Sequence, residues 1–279
     1  MTTKKSIILF IILVAIFPWL HSNFYKSSSW QQTYIEAPLE ATMHKTGFKY
    51  IVLNKGEASA ADLPIVRSLS NVWAGDGTQL ANADEDGLDA TNPDDIIGGY
   101  PFLAEILKTT PAGAHYIWWV DKSQIPEGTS GFSSQNTMFD IKIIDRVAPL
   151  SAPDDVANIP AYATITADGI GYYLLSPATE GAHPTLDDMV EVHYSGWQTD
   201  GTMFDSSVLR QKSNNFPLGR LITGWQKSIP LMRVGEKARI WIPGDLAYDL
   251  REDRPTAPKG MLVFDVELIS ISPVEAEAE

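Results

Sequence analysis

Few residues of the chain have the types and spacing that metal or covalent chemistry requires. The chain contains no cysteine, which excludes disulfides, thiolate zinc sites, cysteine nucleophiles and lipid attachment through cysteine. Its five histidines do not form an HExxH motif or another metal-ligand spacing. Ser195 lies outside any GxSxG sequence, so serine hydrolysis is not supported. We therefore expect a site without metal or cofactor.

The acidic run NADEDGLDATNPDD, at residues 82–95, has the spacing closest to a metal site. Asn82, Asp84, Asp86 and Gly87 occupy positions 1, 3, 5 and 6 of a calcium loop of the EF-hand type. Position 12 of such a loop requires a bidentate glutamate but is Pro93 here, and no flanking helices are predicted. The pattern therefore favours a solvated acidic loop, with calcium binding as the alternative.

The charge balance limits the partners of the protein. Among 279 residues, 21 are Lys or Arg and 35 are Asp or Glu, which gives a net charge of −14. Phosphate backbones attract clustered basic residues, so we do not expect a nucleic-acid partner. Hydrophobic residues make up 44% of the chain, which is typical of globular proteins and sufficient for one or two cored domains.

The first residues form a targeting segment. Lys4 and Lys5 precede an apolar run from residue 6 to residue 20, the pattern of a bacterial secretory signal or signal anchor. We predict a signal anchor over residues 1–25, with a cleaved signal peptide as the alternative, and a linker over residues 26–40. This segment would be the only membrane contact, and it would place the globular part on the outer side of the inner membrane.

The remainder of the chain is a tandem duplication. ATMHKTGFKYIVL at 41–53 matches ATITADGIGYYLL at 163–175 with an offset of 122, and TMFDIKIID at 137–145 matches LVFDVELIS at 262–270 with an offset of 125. Two further blocks keep the same order, which chance matches would not do. We predict two domains, residues 41–148 and 163–272, joined by an extended, proline-containing linker at 149–162 and followed by an acidic tail at 273–279.

The elements that position any site follow from the periodicity of the second domain. MVEVHYSGW at 189–197 alternates with period two and ends near a turn at 199–202. Residues 224–235 have helical spacing that stops at Gly235, and period two returns in KARIWIP and MLVFDVELISI. The pattern predicts an α+β fold in which each domain is an antiparallel sheet wrapped around one short helix.

The motifs of the second domain resemble those of a known enzyme family. VHYSGWQTDGTMFDSS, LITGW, LMRVGEKARIWIPGDLAY and MLVFDVEL occur in this order within residues 163–272. They resemble the FKBP-type peptidyl-prolyl cis/trans isomerases, most closely the bacterial envelope members, and the first domain resembles a degenerate copy. The resemblance implies isomerisation of proline-containing exported polypeptides without a cofactor. The alternative is a non-catalytic client-binding or chaperone module with a vestigial pocket.

The resemblance also implies an apolar pocket. Its substrate-binding side chains would be Leu221, Ile222, Trp225 and Phe264, and its catalytic side chains Tyr194, Phe204, Asp205 and Tyr248. Trp225 would form the floor beneath the proline ring, and the other aromatic side chains would form the walls. Leu221 and Ile222 would line the rim, where the Ile222 amide would bind a substrate carbonyl.

Two polar groups complete the implied pocket. Tyr248 would donate its hydroxyl to the substrate carbonyl. Asp205 would accept a hydrogen bond, most simply from Tyr194, and would place a negative charge near the twisting amide. The sequence departs from the family at two positions. Asp249 stands where glycine is usual. Asn214 stands near a position that is often aromatic, although Phe216 could supply that aromatic side chain.

The first domain lacks the corresponding residues. At the aligned positions, Ser70 replaces Tyr194 and Ala81 replaces Asp205. Leu80 replaces Phe204 and Tyr100 replaces Trp225. We therefore expect the first domain to keep the fold without the chemistry.

Overall fold

The computed structural model describes residues 37, 39, 41–45, 47–56, 63–74, 77–95, 101–124, 137–252 and 257–273. The predicted anchor at 1–25, nearly all of the linker at 26–40 and residues 274–279 of the tail lie outside these ranges. Within the described ranges, no helix combines the length and the hydropathy that a membrane crossing needs.

Among the described residues, the first domain forms one antiparallel sheet of seven strands. The strands are β1 (Thr42–Met43), β2 (Lys49–Lys55), β3 (Ile65–Trp73), β4 (Gln79–Ala81), β5 (Asp89–Thr91), β6 (Ala114–Val120) and β7 (Thr137–Val147). They lie in the order β1-β2-β6-β7-β3-β4, with β5 paired to β3. In the described part of this domain, two helices accompany the strands, α1 (Ala83–Asp86) and α2 (Pro101–Thr109).

The second domain repeats this arrangement. Its strands are β8 (Thr164–Ile165), β9 (Gly171–Ser176), β10 (Asp188–Gln198), β11 (Met203–Ser206), β12 (Asn214–Pro217), β13 (Lys237–Ile242) and β14 (Leu262–Pro273). They lie in the order β8-β9-β13-β14-β10-β11, with β12 paired to β10. Each strand of the second sheet thus corresponds to the strand numbered seven lower, which holds the same place in the first sheet. The predicted α+β fold with two tandem sheets is confirmed.

The alternation of β14 separates the two faces of the second sheet. Leu262, Phe264, Val266 and Leu268 are at most 3% exposed and belong to the core beneath the helix α3 (Thr223–Ser228). Val263 points to the opposite, outer face. Successive strand side chains point to opposite sides, so the strand supplies both layers of the domain.

The helix is shorter than the predicted span of 224–235. It ends at Ser228, and Ile229–Leu231 form a turn of 3-10 helix before Met232 becomes extended. Pro230 explains this end, because proline cannot donate the backbone hydrogen bond that would continue an α-helix. Gly224 lies so close to Ile242 that a Cβ atom there would overlap its side chain, and this contact sets α3 directly on the sheet.

Residues 149–162, called the outer segment here, cover the outer face of the second sheet. The indole Nε1 of Trp197 donates to the Leu150 carbonyl at 3.1 Å, and that of Trp241 donates to the Asp155 carbonyl at 3.0 Å. Arg239 joins the Asp155 carboxylate at 2.7 Å to that of Asp265 at 2.6 Å. The segment predicted as an extended linker is therefore part of the packed second domain.

Candidate active site in the second domain

An aromatic cluster surrounds the indole of Trp225. This side chain of α3 is 5% exposed. Tyr194 of β10 and Phe264 of β14 contact it edge-on, with ring centroids at 5.3 and 5.4 Å and interplanar angles of 86° and 82°. Phe204 of β11 meets Phe264 in the same way at 5.5 Å. Edge-to-face contacts are favoured by the charge distribution of aromatic rings, so the cluster has a defined geometry.

Gly196 makes room for two of these rings. It lies opposite Asp205 on one side and opposite Phe264 on the other. A Cβ atom at Gly196 would lie 2.5 Å from Cζ of Phe204 and 3.0 Å from Cε1 of Phe264, which is closer than packed atoms approach. Gly196 was not among the residues predicted from the sequence, although a glycine inside the alternating HYSGW strand indicates close packing.

The polar part of the site is a chain of three side chains. The Tyr194 hydroxyl donates to Oδ2 of Asp205 at 2.5 Å, as expected from the family resemblance. Arg210 donates through Nη1 to Oδ1 of Asp205 and through Nη2 to the Tyr194 hydroxyl at 3.0 Å. Burial, reinforced by the negative charge of Asp205, raises the pKa of Tyr194 far above its usual value. The hydroxyl therefore remains a donor, and the carboxylate orientation is fixed from two sides.

Two further side chains line the site: Arg210, which was not predicted, and Phe216, which was considered as a substitute for Asn214. Arg210 lies on the irregular connection between β11 and β12, where no periodicity predicts which side chain turns inward. Phe216 of β12 lies with its ring 6.2 Å from Tyr194 and 6.3 Å from Trp225. It fills the aromatic position that the family resemblance placed near Asn214, whose side chain accepts a hydrogen bond from Arg210 instead.

The remaining predicted residues lie at the edge of the same core. Leu221, Ile222 and Tyr248 are partly buried against it. Ile222 directly precedes α3, and its carbonyl accepts the Trp225 amide at 2.9 Å. Seven of the eight predicted site residues thus belong to this core or pack against it, and the eighth, Asp205, is bonded to Tyr194. Their roles toward a substrate stay predictions.

The acidic run of the first domain begins with a helical turn and continues into β5. Asn82 caps α1 by accepting the amide of Asp84 at 3.1 Å, and the Asp86 carboxylate accepts the Asn82 amide at 2.8 Å. Two of the positions that matched a calcium loop are thus used by the turn itself. Over the part of the chain that the structure describes, no group of three or more acidic or histidine side chains is arranged to hold a metal ion.

Comparison with known proteins agrees with the sequence motifs. The model of the family described as FKBP-type peptidyl-prolyl cis-trans isomerase matches residues 180–269. FK506-binding protein 1 of Kluyveromyces lactis is 44% identical over 101 residues, which cover 35% of this chain and 89% of that protein. The chain belongs to the FKBP-type peptidyl-prolyl cis-trans isomerase family. The predicted resemblance is confirmed, and the family match lies in the second domain.

Longer members of the FKBP-type family match over part of their length. The isomerase FkpA of Aeromonas hydrophila is 41% identical over 114 residues, which cover 41% of this chain and 42% of that protein. The crystal structure of FkpA from Escherichia coli is 33% identical, covers 41% of this chain and 53% of that chain, and has a TM-score of 0.38. The chain therefore spans about half of these relatives, or less.

The first domain has the strand order of the FKBP-type domain without its polar groups. Ser70 lies opposite Ile141 on β7, as Tyr194 lies opposite Val266 on β14. Ala81 lies opposite Val72, as Asp205 lies opposite Gly196. The strand register therefore agrees with the sequence alignment at these positions, whereas Tyr100 lies outside the described residues.

The inner face of the first sheet is filled by an indole ring. Trp118 lies between Tyr50 and Phe139 in the ladder, and its counterpart Ile240 lies between Tyr172 and Phe264. Trp118 is 3% exposed and stacks on Tyr50 at 4.8 Å. A bulky ring thus occupies the position of an aliphatic side chain in the FKBP-type domain.

Proposed function

We propose that the second domain catalyses cis/trans isomerisation of X–Pro peptide bonds in polypeptides. The observation that supports this most directly is the juxtaposition of the buried Trp225 ring with the hydrogen-bonded Tyr194–Asp205 pair. An apolar ring can support a proline side chain, and a fixed carboxylate beside it can act on the neighbouring amide.

The reaction makes limited chemical demands. Rotation about the C–N bond has a barrier of about 18–20 kcal/mol, and uncatalysed X–Pro exchange takes tens to hundreds of seconds. No covalent bond is broken, so no nucleophile is needed. The catalyst has to bind the twisted amide more tightly than the planar one. A preorganised, dry site achieves this without the cost of reorienting water.

Trp225 and the polar groups around it have separate roles in this scheme. Trp225 holds the proline ring, and the Ile222 amide and the Tyr248 hydroxyl bind substrate carbonyls. The charge of Asp205 stabilises the twisted amide, because the carbonyl carbon becomes more positive once nitrogen no longer donates electrons to it. Tyr194 and Arg210 hold that carboxylate in place, so its field requires no rearrangement during the reaction.

The test is an exchange assay on short proline-containing peptides with residues 26–279 and with residues 149–279. We expect both to accelerate exchange, and Tyr248→Phe to lower kcat/KM about fivefold to tenfold through loss of one donor. Tyr173→Phe is the matched control, because Tyr173 is an exposed tyrosine of β9. No acceleration by the unmodified chain would contradict the enzyme and favour the client-binding alternative.

We further propose that the globular part acts on exported polypeptides outside the cytoplasm of a bacterial cell. The support is the basic, then apolar sequence of residues 1–25. Protease added to spheroplasts is expected to digest an anchored form from outside. Protection of the globular part until the cells are lysed would contradict this location.

A further inference from the structure

The residue after Tyr248 connects two separate parts of the site. The Asp249 amide donates to the Gly244 carbonyl at 2.9 Å, which closes the turn that carries Tyr248. Its carboxylate Oδ1 accepts the amide of Gly260 at 2.8 Å. Asp249 therefore bonds to the chain on both sides of the connection between residues 249 and 260.

The absence of a side chain at Gly244 leaves room for the Asp249 carboxylate. A Cβ atom at Gly244 would overlap the Asp249 carboxylate and would lie 2.9 Å from the carbonyl carbon of Gly260. Gly244 is itself buried. The backbone at Gly244 thus meets the backbone at Gly260 where only glycine leaves space, and the Asp249 carboxylate occupies that space.

A second bond strengthens the same junction. Lys259 donates through Nζ to the Tyr248 carbonyl at 2.7 Å. Gly260 stands two residues before β14, the strand that carries Phe264. The bonds of Asp249 and Lys259 therefore fix the backbone of Tyr248 relative to the strand that forms a wall of the aromatic cluster.

We propose that Asp249 is a positioning residue of the isomerase site, which sets the Tyr248 hydroxyl relative to Phe264 by closing the 249–260 connection at its base. This inference rests on the proposed function. It concerns a position at which the chain departs from the glycine expected of its family, and it gives that departure a role. The carboxylate acts through Tyr248 and does not itself touch the substrate.

The test compares Asp249→Ala with Asp249→Asn, because the amide oxygen of asparagine can still accept the Gly260 amide. We expect Asp249→Ala to lower kcat/KM on short proline peptides about fivefold, the effect of one lost hydrogen bond. The asparagine variant should stay within about twofold of the unmodified chain. Asp245→Ala, which removes an exposed carboxylate of the same turn, is the matched control.

The same substitutions in a Tyr248→Phe background show whether Asp249 acts through Tyr248. We expect Asp249→Ala to have less than about a twofold further effect there, because coupled positions are not additive. An equal loss in both backgrounds, or no loss in either, would overturn the proposal.

A spectroscopic readout separates this proposal from the proposed function. In protein labelled with 3-fluorotyrosine, the fluorine resonance of Tyr248 is identified by its absence from Tyr248→Phe. We expect Asp249→Ala to shift or broaden it and Asp249→Asn to leave it unchanged. An unchanged resonance in the alanine variant overturns the positioning role, even if the unmodified chain proves inactive, whereas inactivity alone contradicts only the proposed function.

Discussion

The hydroxyl of Tyr194 lies 2.5 Å from Oδ2 of Asp205, and both groups also bond to the guanidinium of Arg210. The carboxylate thus accepts from two donors that come from different elements. In a partly buried setting such a network holds its members in one orientation, and removal of one member leaves the others unsatisfied. The orientation of Asp205 is therefore a property of the fold and does not wait for substrate.

Asp205→Asn should reduce both stability and activity. Arg210 would lose the charge that compensates it in a partly buried site, so we expect a loss of about 1–3 kcal/mol in the free energy of unfolding. The kcat/KM on proline peptides should fall about tenfold or more, as for loss of a preorganised electrostatic contact. Urea unfolding and the exchange assay measure the two effects. Asp200→Asn, at an exposed turn, is the control, and equal effects of both changes would contradict the role of Asp205.

The loss of the Trp225 indole should affect activity even where an aromatic ring remains to fill the core. Trp225→Ala is expected to cost about 3–5 kcal/mol of stability, as for other large-to-small changes in a core. Trp225→Phe keeps an aromatic ring and should lose less stability while still lowering kcat/KM. Denaturant unfolding and the peptide assay distinguish these outcomes. Full activity of the phenylalanine variant would show that the indole is not the required floor.

Alkaline pH should weaken the second domain through Tyr172. Burial, aided by the charge of Glu236, raises the pKa of Tyr172 to about 12 from its usual 10.0. The folded state then keeps a proton that the unfolded state releases. This contribution is complete below about pH 10 and is lost as the pH rises through about 12.

The measurement is the free energy of unfolding in urea at about pH 9 and about pH 11, for the unmodified chain and for Tyr172→Phe. The unmodified chain should lose more stability between the two values than the variant does. Tyr173→Phe on the same strand is the control. An equal loss in the chain and in Tyr172→Phe would show that Tyr172 titrates normally.

The outer segment should be required for the stability of the second domain. Residues 163–279 alone would expose Trp197 and Trp241, which are 3% and 0% exposed in the intact domain. We expect this shorter piece to unfold at a lower urea concentration than residues 149–279 and to have red-shifted tryptophan emission. Asp155→Ala in the longer piece, which removes the carboxylate's bonds to Arg239 and Tyr162, should have a smaller effect. Equal stability of the two pieces would mean that the contacts of the outer segment do not contribute to the free energy of unfolding.

The first domain should be catalytically silent and should help only with protein clients. Residues 41–148 are expected to leave peptide exchange unchanged, because Ser70 and Ala81 replace the phenol of Tyr194 and the carboxylate of Asp205. Residues 26–279 and 149–279 should act equally on short peptides. With a proline-limited protein the longer piece should refold it faster, because two attached binding sites raise the local concentration of the client. Isomerase activity in 41–148 would contradict the silent domain, and equal refolding would contradict its binding role.

The sequence was sufficient for the architecture because repetition and period-two alternation are local signals. The strand MVEVHYSGW and the duplicated blocks predicted two sheets, and the candidate site residues were predicted from the family motifs. The end of α3 was missed because the helical spacing continues past Pro230 although the backbone cannot. Arg210 and the contacts of the outer segment were missed for a different reason, since they depend on where irregular backbone places a carbonyl or a guanidinium.

The first domain differs from the second at Trp118 as well as at its lost polar residues. The strand register of the first domain agrees with that of the second at Ser70 and Ala81, so the two copies still align residue by residue there. The inner face between Tyr50 and Phe139, however, holds an indole where the second domain has Ile240. Substitutions at Ser70 and Ala81 alone would therefore not restore the inner face of the second domain, because a return to that face would also require a change at Trp118.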